Sequence, residues 1–117
     1  MRALVAFCLL WLMLCACSRR PSIEQLAELK SAGSILNDTV VEFGPVPSSR
    51  WPPIIRKLQP EYVYRLPEGL YITTDSFFVQ ERGYFIPDTP VGSLPGREAD
   101  PSYESLGEGV FAYEIKG

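Results

Sequence analysis

Eleven prolines and nine glycines punctuate this chain of 117 residues, and beyond residue 43 they cut it into short segments. Segments of that length favour strands and turns over long helices. Residues 39–43 (TVVEF) are β-branched and apolar, end at Gly44-Pro45, and predict a strand. Residues 62–65, 70–73, 77–80 and 84–86 predict four more, separated by Pro67-Glu68-Gly69, Thr74-Asp75-Ser76 and Glu81-Arg82-Gly83 as turns of hairpin length. In residues 110–115, Phe111, Tyr113 and Ile115 alternate with Val110, Ala112 and Glu114, which predicts a last strand with one strongly apolar face.

Two helices precede this meander. Ser22-Ile23-Glu24-Gln25, after Pro21, has the pattern of a capping box. Ile23, Leu26 and Leu29 form an apolar stripe behind it, and Gly33 is the expected stop. The second helix opens near Ser48-Ser49, tolerates Pro52 and Pro53 in its first turn and ends at Pro60. Trp51, Ile54, Ile55 and Leu58 share its inner face. The expected fold is therefore α+β, with one or two short N-terminal helices packed on an antiparallel sheet of about five strands. Residues 87–109 remain as one long irregular stretch, of the kind that is either functional or poorly ordered.

Before all of this stands an address. Arg2 precedes an apolar run over residues 3–17 with no charged member. As a helix the run spans about 22 Å, short of the roughly 30 Å of a bilayer core. A basic start, a short apolar core and small residues at its end make an export signal. Leu14-Cys15-Ala16-Cys17 resembles the lipobox of bacterial lipoproteins, with Cys15 standing where Ala, Ser or Thr is usual. The resemblance implies removal of residues 1–16, a diacylglyceryl thioether on Cys17 and acylation of the new amino terminus. It also implies a palmitate-type lipid anchor in the cell envelope. Ser18, in place of Asp, implies the outer membrane on its periplasmic side if the host is Gram-negative. Residues 17–22 are then a lipidated tether and residues 23–117 one small domain. Because Cys8 and Cys15 leave with the signal and Cys17 is alkylated, that domain has no thiol for a disulfide and must rest on its own core.

The composition removes several chemistries. With no His, imidazole bases, Ser-His-Asp catalysis and most zinc sites are excluded. A formal charge of −3 without a basic run gives no electrostatic warrant for nucleic acid. No phosphate-cradling, dinucleotide-binding or nucleophile-elbow motif occurs, and no cofactor is expected. Asp75, Glu81, Asp88 and Asp100 offer carboxylates for two-acid hydrolysis, without a spacing signature. Asp88, Glu98, Asp100, Glu104 and Glu108 gather acids in the irregular stretch, yet no calcium-loop string accompanies them, so no metal is expected.

Six Tyr, six Phe and two Trp remain the most suggestive set. In Phe77-Phe78 and in Tyr84-Phe85, adjacent residues on a strand must point to opposite faces. A sheet covered by helices on one side would expose rings on the other, where Tyr and Trp serve as interface anchors. Trp51, Tyr62, Tyr64, Tyr84 and Tyr103 are the candidate partner-binding residues. The expected function is a membrane-anchored, non-enzymatic binding domain for a protein or a cell-wall polymer. The alternative is a small carboxylate-dependent hydrolase or sugar-active enzyme of the envelope.

Overall fold

Ser22 opens the first regular element of the computed structural model, which describes residues 21–89, 94–96 and 98–117. The apolar run, Cys17 and the first tether residues lie outside the described residues, as do positions 90–93 and 97 of the Pro-rich stretch. Ser22 Oγ accepts from the backbone N–H of Gln25 at 3.2 Å, and Gln25 Oε1 accepts from the N–H of Ser22 at 2.9 Å. This reciprocal capping box satisfies two N–H groups that have no partner inside the helix.

The helix it starts, α1, covers Ile23–Thr39 and buries Leu26, Leu29, Ala32 and Leu36. It runs straight through Gly33, which corrects the expected stop. Gly33 is there for contact: a Cβ at that position would lie 2.2 Å from Ile86 Cδ1. The missing side chain lets the helix sit close on the sheet. Deeper along the helix, Asn37 Nδ2 donates to the Ile86 carbonyl at 3.2 Å.

The expected strand over residues 39–43 does not form. Thr39 still belongs to α1, and Val41 and Phe43 are exposed. These residues cross from the helix layer to the sheet edge with no strand alongside them, and β-propensity without a neighbour does not make a strand. Pairing starts only at β1 (Gly44–Pro45). A 3-10 turn at Ser48–Arg50 and the short helix α2 (Pro53–Lys57) follow, with Ile54 and Ile55 buried.

The remaining strands are β2 (Tyr62–Leu66), β3 (Gly69–Phe77), β4 (Gln80–Pro87), β5 (Ser102–Gly107) and β6 (Val110–Ile115). They form one sheet of six strands, all antiparallel, in the order β1-β2-β3-β4-β6-β5. The α+β class stands, with six strands where about five were expected. Four local readings change. Thr74-Asp75-Ser76 lies inside β3, past a register shift between Thr73 and Asp75. Glu81-Arg82-Gly83 lies inside β4. Residues 77–80, expected as a strand, form the hairpin turn, with Phe77 paired to Gln80. The irregular stretch in turn holds β5, which pairs with β6 along its length.

Period-two alternation splits the sheet into two apolar layers. Val63, Leu70, Ile72, Ile86 and Val110 pack under α1 and α2. Tyr71, Phe85 and Tyr113 point the other way and are 3%, 1% and 2% exposed, although no helix among the described residues covers them. Their cover is made by other side chains of the same layer, chiefly Tyr64, Leu66, Leu94, Tyr103, Phe111 and Ile115. The chain thus has a helix-backed core and a second, aromatic core on the opposite face.

Candidate functional site

The five candidate aromatics separate onto different surfaces. Trp51 packs against the helix-backed core, and its indole Nε1 donates to the Val46 carbonyl at 3.0 Å. Tyr62, Tyr64 and Tyr103 belong to the opposite face. Tyr64 stacks on Tyr71 at 5.0 Å between ring centroids, and Tyr62 leans on Tyr64 at 6.0 Å. Tyr103 reaches across the layer so that its hydroxyl meets that of Tyr71 at 2.7 Å. The expected open ring face is therefore largely closed on itself, and Tyr62, 39% exposed, is its most accessible ring among the five. Tyr84 lies on the helix side, half-buried, where burial raises its phenol above the ordinary value.

Glu81 organises the aromatic layer, although its sequence context reads as a turn. Its Oε1 accepts from Tyr64 at 2.6 Å, Thr73 at 2.8 Å and Tyr113 at 2.6 Å. Thr73 Oγ1 and the Tyr113 hydroxyl also meet at 2.6 Å. Three hydroxyls carry three protons, one short of serving all four contacts at once. Burial alone would raise the carboxyl of Glu81, but the hydroxyls of Tyr113, Tyr64, Thr73 and Tyr62 outweigh it and hold the acid below its ordinary value. The same contacts act in reverse on the phenols. Tyr64 and Tyr113 are pushed well above their ordinary value, by burial first and by the bond to Glu81 second. Tyr71 is raised by burial and then by Tyr103. The available signal was the alternation of Tyr71 with Thr73 and of Tyr62 with Tyr64, which collects hydroxyls on one face.

The carboxylates proposed for two-acid chemistry do not converge. Asp75 pairs in register with Arg82, and Ser76 with Glu81, so Asp75 and Glu81 project from opposite faces of the hairpin. Asp75 is held by Arg82 at 2.7 Å, and Asp88 lies 3.9 Å from Arg65 at the far end of β4. Asp100 accepts from the backbone N–H groups of Lys116 and Gly117 at 2.8 and 3.0 Å. Glu81, set among hydroxyls, is shifted toward the anion, the opposite of a general acid's requirement. Among the described residues no three Asp, Glu, Cys or His side chains gather as a metal site.

Among the described residues, a groove of about 680 Å³ lies on the helix side of β4, β6 and β5. Tyr84, Leu106 and Ala112 make its half-buried floor, and Arg82, Glu104 and Glu114 stand around it. Pro21 also lines it, just ahead of the Ser22 cap, so α1 begins at the groove and leads away from it. The chain therefore enters the folded domain beside the groove.

Comparison with protein families, with characterised proteins and with solved structures finds no match to this chain.

Proposed function

We propose that this chain is a lipid-anchored protein of the bacterial cell envelope whose folded domain binds a partner and performs no catalysis. Cys17 carries the lipid, and in a Gram-negative cell the domain faces the periplasm from the outer membrane. The supporting observation is the groove beside Pro21, with its mixture of an aromatic and aliphatic floor and charges of both signs around it. Such a mixture suits a protein segment or a polymer strand that presents apolar groups between polar ones. Pro21 lies four residue steps from Cys17, a reach of at most about 14 Å, so the groove stays near the membrane surface. Its partner is then another component of that membrane or of the polymer next to it.

Photo-crosslinking in cells tests the reading. Benzoylphenylalanine at Glu104 or Ala112 is expected to give discrete adducts, while the same group at exposed Glu28 on α1 gives none. Equal adduct patterns from groove and helix positions, or no adduct from the groove, would refute the binding role. Fatty-acid labelling that survives Cys17→Ser would refute the anchor.

A further inference from the structure

The turn between β3 and β4 carries Phe77, Phe78 and Val79, which are 68%, 91% and 71% exposed. Three consecutive apolar residues at a hairpin tip are the reverse of turn chemistry, which favours Gly, Asn, Asp and Ser. The backbone makes the choice stranger still. Phe78 has φ +56°, a left-handed conformation that Gly or Asn adopts with less strain. The two rings pack edge to face at 4.5 Å, leaving their outer faces bare. Val79 is braced from below, since a Cβ on Gly117 would lie 2.2 Å from Val79 Cγ2. The tip is an apolar knob standing off the end of the sheet.

Its position in the molecule is the second observation. Thr74, Arg82, Gly83 and Lys116, all from this end of the sheet, line the groove together with Pro21. From Thr74 to Phe77 is three strand steps, about 10 Å. From Pro21 back to Cys17 is four residues, at most about 14 Å. The strands that carry the knob and the residue that leads back to the proposed lipid therefore border one groove, which also extends to Leu106 and Ala112. No charged residue interrupts positions 76–80, and the tether adjoining the lipid carries Arg19 and Arg20, cations suited to lipid phosphates.

We infer that Phe77, Phe78 and Val79 insert into the interfacial layer of the same bilayer that holds the lipid on Cys17. The inference rests on the anchor reading for its geometry. A lipid chain by itself leaves a domain free to swivel, whereas a second contact fixed in the fold sets one orientation. Phe at the interface supplies apolar area without a buried polar group, and the short turn keeps backbone polar groups at headgroup depth. In this orientation β3 and β4 rise from the membrane and the groove opens just above its surface.

The test uses full-length protein with Phe78→Trp, produced in its own envelope and reconstituted into phosphatidylethanolamine–phosphatidylcholine vesicles with or without brominated acyl chains. The wild type, with Trp51 beyond the signal segment, supplies the baseline. Bromine is expected to remove most of the emission contributed by the introduced indole, with a blue shift and little quenching by aqueous iodide. Emission from that indole that bromine leaves intact overturns the inference, whether iodide reaches the ring (an open tip) or not (a tip covered by protein). Phe77→Trp repeats the measurement if the first variant fails to fold. Mass analysis of Cys17 in the same preparation separates the two readings. An acylated protein whose added indole stays unquenched refutes the knob and leaves the anchor. An unacylated chain refutes the anchor, while the signal from the same indole still decides the knob.

Discussion

Replacing Glu81 by Gln removes one charge and almost no volume, so it isolates what the anion does in the aromatic layer. Its Oε1 faces the hydroxyls of Tyr64, Thr73 and Tyr113 at 2.6, 2.8 and 2.6 Å. Because Thr73 and Tyr113 also contact each other, two donors at a time is the conservative count. A hydrogen bond to a charged group is worth about 1.5–3 kcal/mol, against about 0.5–1.5 kcal/mol between neutral groups. Glu81 is partly open to solvent, so the low end applies, and the Gln amide keeps a neutral acceptor. The expected loss is about 2 kcal/mol at neutral pH, or roughly 10 °C in melting temperature for a domain of this size. The sign with pH follows from the direction of the shift. A carboxyl held below its unfolded value, ordinarily 4.5, contributes stability above that value and loses it as pH falls through the folded value. Urea unfolding of wild type and Glu81→Gln should therefore show a gap at about pH 7 that closes toward about pH 2. A gap of constant size across that range, or a Gln variant as stable as wild type at neutral pH, would refute the role assigned to the charge.

Gly83→Ala should be among the most damaging small substitutions, because its Cβ would lie 1.9 Å from the Ile72 carbonyl oxygen in the neighbouring strand. A loss above about 3 kcal/mol is expected by thermal melting, and more than for Gly33→Ala, whose Cβ meets the movable end of the Ile86 side chain. Ser22→Ala removes the α1 cap and should cost about 1 kcal/mol in urea unfolding. Tyr71→Phe and Tyr103→Phe each delete one half of a hydroxyl pair 2.7 Å apart, so the double variant should lose less than the sum of the singles; strict additivity would show that the pair is uncoupled.

Much of the fold was legible because local chemistry and tertiary packing agree. The Ser22 capping box and the alternation over Val110–Ile115 stand as their residues suggest, whereas the second helix is shorter than expected: Ser48–Arg50 forms a separate 3-10 turn, and Pro52 rather than a Ser precedes Pro53–Lys57. The failures have specific physical causes. Gly33 reads as a terminator, but its small size serves a close helix–sheet contact that only the assembled layers reveal. Thr74, Asp75 and Ser76 read as a turn, yet a hairpin extended past the core can carry polar residues in strand conformation. Phe77 and Phe78 read as a strand because apolar aromatic residues at a turn run against ordinary preference, and that conflict is what singles the tip out. The site was less legible. Tyr62, Tyr64 and Tyr103 do share a face, but Trp51 and Tyr84 do not join them. The role of Glu81 is hidden from the sequence because its three hydroxyl partners come from β2, β3 and β6, and no spacing links them.

The two apolar layers have a dynamic consequence. Tyr71 and Ile72 are neighbours on β3 that point in opposite directions, and both are shut away from water, as are Phe85 and Ile86 on β4. Opening the amides between these strands therefore requires parting both layers at once, so their deuterium uptake should report the global unfolding free energy. The two-residue edge strand β1 and the exposed crossing at Val41 and Phe43 have no such double cover and should exchange early, as a separate unit. The middle of the sheet is a rigid keel, and whatever pliancy the domain has belongs to its margins.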